Sequence, residues 1–202
     1  ISKLLEKRLG FKRIDDDVLK YRAFSNKFEY PALQMPNPEL NWEEWFNQSP
    51  EIMGQWMVDI AAEMIDFLLV DILLEGKSTP IVVDFAVEVQ RITDYIPSEN
   101  ILGMFATDDM IEASYLYRDD HKHILDRIMK STLNPKSSAS KMSKSVVWFS
   151  KQIHTSCYEH QIKTLYRNQI LDVDSQLNQV CELLKISKDS FDSKDKEERK
   201  GS

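Results

Sequence analysis

Ile81-Val82-Val83-Asp84-Phe85-Ala86-Val87 is the stretch on which the reading of this chain turns. A near-continuous β-branched run of this kind predicts a strand buried on both faces, since neither alternate set of side chains is polar enough to face water. A second run, Ile101-Leu102-Gly103-Met104-Phe105-Ala106, repeats the pattern and leads into Thr107-Asp108-Asp109, a helix-capping sequence. Upstream, residues 52–74 predict a long helix with Ile52, Trp56, Ile60, Met64, Phe67 and Leu68 on one stripe. Asp59, Glu63 and Asp66 lie on its other side, which reads as a solvated face. Before it, four prolines make residues 30–50 mostly loop, with a short helical turn at 42–46. Ile1, Leu4, Leu5 and Leu9 share one helical face, Gly10 stops that helix, and residues 11–14 alternate as a short strand ahead of Asp15-Asp16-Asp17. Downstream, the pattern predicts a helix over 109–130, a Ser/Lys-rich loop over 137–145 and a helix over 144–159. A strand at 162–166 and a helix over 174–185 follow. Residues 187–202 are almost wholly polar and predict a disordered tail.

Strands alternating with helices, two of the strands fully apolar, predict an α/β fold: a parallel sheet with helices on both faces. One domain over residues 1–186 suits the length, because a chain of 202 residues buries about 70% of its unfolded surface without needing a disulfide or metal. A hydrophobic content of 42% with 10% aromatics excludes disorder along the whole length. The longest apolar region is broken by Asp59, Glu63, Asp66 and Asp71, which argues against a membrane span. Cys157 and Cys181 are too few for a secreted disulfide scaffold, so reduced thiols in a cytoplasmic protein are expected. Residues 1–10 lack the apolar run of a signal peptide. They open on Ile and read as the middle of a structure, so a fragment that has lost its N-terminus is expected.

Charge is unevenly placed. Residues 118–151 carry eight Lys/Arg against three Asp, on a chain whose net charge is −7. A basic segment on an acidic body suits a local anion such as phosphate, or else is a solvated helix and loop; the acidic whole disfavours a nucleic-acid duplex. Within that segment Arg118 and Arg127 are candidates to clamp phosphate oxygens, the alternative being pairing with Asp119, Asp120 or Asp126. In a parallel sheet ligands bind beyond the carboxyl ends of the strands. There the sequence puts Asp15 and Asp17, Asp84, Thr107-Asp108-Asp109 and Asn168. Asp84 amid apolar neighbours needs a partner, either a Mg²⁺ ion with its waters or a neighbouring loop. Asp15 and Asp17, two apart, point the same way and bind substrate hydroxyls or hydrated Mg²⁺, or cap a helix.

Other patterns carry less. Glu75-Gly76-Lys77-Ser78-Thr79 invites a phosphate-loop reading, but the motif requires Gly where Asp71 stands, and the segment runs from helix into strand rather than the reverse. His121 and His123 are two apart and do not share a helix face. His154, Cys157 and His160 have no second ligand cluster to complete a zinc site. Trp42, Trp45 and Trp56 read as packing residues.

The order of these elements resembles the P-loop small-molecule kinases, of the shikimate-, gluconate- and nucleoside-monophosphate-kinase type, with the central first strand and phosphate loop missing. In that family a helix like Ile-Ser-Lys-Leu-Leu-Glu-Lys-Arg-Leu-Gly, here residues 1–10, directly follows the Gly-Lys-Ser-Thr end of the phosphate loop. A short strand ending in Asp-x-Asp comes next, matched by Asp15-Asp16-Asp17. The resemblance implies that Asp17, with Arg22, faces the substrate and that Asp15 lies near the metal. It makes Asp84 the acidic residue of the Walker B strand, Arg118 the lid arginine with Arg127 a second, and 118–151 a lid-like segment. The stretch 158–172 becomes the last strand and the adenine-side loop, with Asn168 beside the cofactor. ATP and Mg²⁺ are the implied cofactors, and a nucleotide and a small hydroxyl-bearing metabolite the implied partners. No nucleic acid or membrane is implied. A chain without the phosphate loop and its Lys is expected to lack the activity of its parent. A non-catalytic binding or regulatory protein on the same fold, with the helix over 52–74 against a protein partner, or a nucleotide hydrolase or switch, are the alternatives.

Overall fold

The computed structural model describes residues 2–14, 21–23, 25, 28–35, 41–75, 80–84, 86–167 and 172–186. Among the described residues, which are mostly helical, there are four short strands: β1 (Lys12–Ile14), β2 (Ile81–Val83), β3 (Leu102–Phe105) and β4 (Lys163–Tyr166). β1 pairs with β2 and β3 with β4, both in parallel, with Lys12 opposite Ile81 and Leu102 opposite Lys163. Among the described residues these are two separate two-stranded sheets. Around them stand α1 (Ser2–Leu9), α2 (Pro31–Gln34), α3 (Trp42–Phe46), α4 (Pro50–Glu75) and α5 (Val89–Thr93). Beyond β3 come α6 (Asp108–Ser114), α7 (Lys122–Ser131), α8 (Pro135–Glu159) and α9 (Val173–Leu183).

Helices cover both faces of the strands, as the apolar runs predict. On one face Val82, Leu102, Met104 and Leu165 pack with Leu5 and Phe11 from the α1 end and Leu177 and Val180 of α9. On the other, Ile14, Ile81 and Val83 meet Ile65, Leu68 and Leu69 of α4 and Ile92 of α5. Phe105 meets Ile153 and Cys157 of α8 on that same side. Both ladders thus lie between the same two helical layers. The β2 run differs from its prediction in extent and burial: of its described residues three are strand, and Ile81, Val82 and Val83 are each half-buried. So are all four residues of β3. The reason lies at the strand edges. The Lys12 N–H to Pro80 carbonyl and Asp84 N–H to Ile14 carbonyl bonds turn alternate groups of β2 toward β1. Strand alternation then turns the amides of Ile81 and Val83 to the other edge, where no described strand pairs. The Arg167 N–H to Phe105 carbonyl bond does the same for β3, leaving Leu102 and Met104 on its outer edge.

α1 ends where the sequence places its stop: Gly10 has φ 67°, a left-handed conformation costly for a residue with a Cβ. The longest helices, α4 and α8, cross at Gly54. A Cβ there would come within 2.5 Å of the Trp148 ring and 3.0 Å of the Ser145 carbonyl oxygen, so only glycine allows this approach.

Two expectations are corrected. The helix over 109–130 is interrupted by 3₁₀ turns at Tyr115–Tyr117 and Asp119–His121. The Ser/Lys-rich loop over 137–145 is helix, the opening turns of α8. Asn134 starts it by accepting from the Ser137 N–H (3.3 Å), with Pro135 in the first turn. Its serines serve packing: Ser138, Ser143 and Ser145 are buried, and Ser145 donates its hydroxyl back to the Met142 carbonyl. Met142, Val146 and Val147 share a core with Phe46, Met53, Ile111, Leu116 and Ile128. Part of the segment predicted as a lid is therefore core.

The acidic side of α4 is likewise not a solvated face. Both Glu63 oxygens accept backbone N–H groups at the start of α2, from Ala32 (3.0 Å) and Leu33 (2.7 Å). Tyr21 donates its hydroxyl to Asp71 (2.6 Å), and Arg91 pairs with Asp66. Glu63 and Asp71 thus strap the segment before α4 across it, and Glu63 satisfies donors that α2 cannot satisfy itself. The apolar side also shifts: Met53, Ala61, Met64, Ile65, Leu68 and Leu69 are buried, while Ile52 is exposed.

Candidate functional site

The carboxyl ends of the strands are the place to build a site. Asp84 follows β2 and is held by two donors: the Ser2 hydroxyl at Oδ2 (2.7 Å) and Arg13 Nε at the same oxygen (3.2 Å). Ser2 opens α1, so this bond fixes the start of α1 over the end of β2. Arg13 also lies 4.0 Å from Glu6. Asp84 has therefore found the partner that its apolar neighbours demanded. Hydroxyl and carboxylate oxygens are hard donors of the kind Mg²⁺ takes. Oδ2 of Asp84, however, is already taken by Ser2 and Arg13. Among the described residues no group of three or more His, Cys, Asp or Glu converges on one point.

At the end of β3 and β4 the groups are aromatic. Phe105 stands edge-on to His154 with ring centres 5.0 Å apart, and Tyr166 lies 5.3 Å from His154. Thr107 precedes α6 without a side-chain cap, and Asp108 in its first turn pairs with Lys151 of α8 (2.7 Å). Beyond α6 lies an open surface depression of about 470 Å³ between Lys3 of α1 and the run Tyr117, Arg118, Asp119 and Asp120. Arg118 donates from both Nε and a terminal nitrogen to the two Asp120 oxygens. Partial burial alone would raise the Asp120 carboxyl, but the Arg118 hydrogen bond and the charges of His121 and Arg118 outweigh it and hold it below its ordinary value. His121 packs on Tyr115 and donates Nδ1–H to the Tyr115 carbonyl (3.0 Å); burial is the main cause that lowers its pKa. The Lys3 side chain makes no hydrogen bond or ion pair with any described residue. A second cavity, of about 460 Å³, lies between α2 and α4 around Met35, Trp56, Asp59 and Glu63. Its polar groups are engaged: Glu63 by α2, Asp59 by Gln55 and the Trp56 N–H by the Ala32 carbonyl. The first cavity, holding an unengaged cation, is the better candidate.

The sequence-predicted residues divide accordingly. Asp84 and Arg118 both face strand-end or cavity space. Arg127 does not join them: its guanidinium lies over the Trp42 ring, 4.9 Å from the centre, on the far side of α7 packing. Arg22 donates to the Leu33 (2.6 Å) and Met35 (3.4 Å) carbonyls at the end of α2. Asp15, Asp17 and Asn168 lie outside the described residues. Ser2 and Lys3 escaped sequence reasoning, since two polar residues in a first helical turn carry no signal until a strand end is placed beside them. The tryptophans pack as expected, Trp42 on Phe46 and Trp45 against Trp56. Cys157 and Cys181 are both buried, His160 bonds its own helix, and among the described residues His154, Cys157 and His160 do not gather into a metal-ligating group. No described helix is long and apolar enough to cross a membrane. Comparison of the chain with protein-family models, curated proteins and solved structures returns no match.

Proposed function

We propose that this chain is the body of an ATP-dependent phosphotransferase of the P-loop small-molecule kinase type, lacking the central strand and phosphate loop. The observation that carries the reading is the pair of parallel ladders between shared helical layers, each with an edge on which no described strand pairs. A fifth parallel strand between β2 and β3 would pair with both edges and bury their half-exposed side chains. Ser2 on Asp84 supports the connection, because α1 starts at the end of β2 where such a strand would finish. A strand leading through a loop into α1 and back along β1 is the ordinary right-handed crossover. In that protein Mg²⁺ would sit near Asp84, through water, with Asp15. It would neutralise charge on the transferring phosphoryl group. Asp17 would orient the acceptor hydroxyl, and Arg118 would close over the phosphoryl oxygens.

The test is to read the coding sequence ahead of Ile1 and to express the longer chain. The expected result is a strand and Gly-x-x-x-x-Gly-Lys-Ser/Thr running into Ile1, with Mg-ATP bound by the longer chain and not by residues 1–202. A start codon at Ile1, or a longer chain that binds no ATP, overturns the reading. One observation favours a second reading, a non-catalytic interaction protein: Val70, Leu73 and Leu74 form an exposed apolar strip at the end of α4.

A further inference from the structure

We infer that Asp120 is an internal counter-ion that holds the Arg118 guanidinium until a phosphate-class anion enters the cavity and displaces it, with Lys3 as the second cation of that subsite. The inference deepens the phosphotransferase reading and rests on it for the class of ligand; the geometry stands apart from it. Two cations more than a hundred positions apart in sequence line one open surface depression of about 470 Å³. One of them, Lys3, pairs with no described residue, and the first turn of α1 around it holds no acidic side chain. The other, Arg118, is held by both oxygens of Asp120. A carboxylate gripping an arginine fork through two parallel bonds occupies the same donors that two phosphate oxygens would take. Both partners are more than half exposed, so the pair is weak enough for an incoming dianion to exchange. Asp119 lines the same cavity but takes no bond from Arg118, which makes it the natural control.

The experiment is calorimetric titration of the 202-residue chain with inorganic pyrophosphate at low ionic strength. Asp120→Asn is expected to bind about fivefold tighter than the unaltered chain, because the fork is released and a repelling charge removed. Asp119→Asn is expected to gain less than about half of that, having only the charge effect. Arg118→Ala should weaken binding about tenfold and Lys3→Ala about threefold, and in the Arg118→Ala background Asp120→Asn should gain no more than Asp119→Asn. Equal gains from the two Asn variants, insensitivity to Lys3→Ala and Arg118→Ala, or no binding by the unaltered chain and Asp120→Asn at millimolar pyrophosphate each overturns the inference. Circular dichroism and melting of each variant separate a folding defect from a lost contact. Pyrophosphate bound through Arg118 by a protein whose extended form binds no ATP keeps this inference and removes the phosphotransferase reading.

Discussion

The β1–β2 ladder finishes in charges, Asp84 with Arg13 and Ser2, whereas the β3–β4 ladder finishes in rings, Phe105 and Tyr166 beside His154. Their undersides differ as well. The first ladder rests on the branched and long aliphatic side chains of α4, Ile65, Leu68 and Leu69. In the second, a Cβ at Gly103 would fall 2.9 Å from the ring of Phe105 in the same strand and 3.1 Å from Cys157 Sγ of α8, so these side chains would have to shift. One half is thus cushioned by volume and ends in polar groups open to a ligand. The other is locked by close contact and ends in a closed stack. Under the proposed function, that contrast would put recognition at the first ladder and near Lys3, and scaffolding at the second.

The largest break in the comparison should come from volume. Leu68 is 0% exposed between α4 and the first ladder, and Leu68→Ala is expected to cost about 3 kcal/mol in chemical denaturation, through lost burial and the cavity left behind. A loss under about 1 kcal/mol would mean that this half collapses around the gap and is not cushioned as described.

The second ladder should respond to added volume instead. Gly103→Ala is expected to cost about 1–2 kcal/mol, since the new methyl meets the Phe105 ring and the Cys157 sulfur. Cys157→Ala should relieve part of it, so the double variant should lose less than the two single losses added together. The same packing sets the chemistry of the thiol: burial pushes Cys157 up to about 11. With the folded value above the unfolded one, the unfolded chain releases this proton first as pH rises. Stability should then fall from about pH 9 toward about pH 11. Cys157→Ala should flatten that decline in denaturation midpoints measured across the range.

How far these two halves were legible in the sequence follows from what each is made of. Aliphatic runs announce a strand buried by neighbours, so β2 and β3 and the helices on both faces were readable from periodicity. The short extent of β2 was not, because a run of Ile and Val looks the same whether one edge or two are paired. Ser137 to Ser145 read as loop because serine is a poor helix former in isolation, yet small side chains are what a close crossing of α4 and α8 requires. At the site, Asp84 was visible as a charge at an expected strand end and Arg118 as a charge on the basic segment. Ser2 and Lys3 were not, since their roles come from the fold that carries α1 to the end of β2 and the edge of the cavity. Arg127 carried the same signal as Arg118 and went to a tryptophan face instead, a choice made by the packing of α3 on α7.

The smallest expected effect is the sharpest test of the first ladder's open end. Asp84 is 39% exposed, and its partner Arg13, at 18%, also lies near Glu6. Asp84→Asn keeps an oxygen for the Ser2 hydroxyl and removes the charge facing Arg13, so the loss should be under about 1 kcal/mol and should shrink further in concentrated salt. Arg13 retains Glu6 nearby, which keeps its guanidinium from being stranded. A carboxylate that costs so little to neutralise is one the fold does not need for its own cohesion, and its position at the strand end is then explained by what it can bind. A loss above about 2 kcal/mol, insensitive to salt, would make Asp84 a structural anchor for α1. The polar end of the first ladder would then be as closed as the ring stack of the second, and the contrast between the two halves would fail.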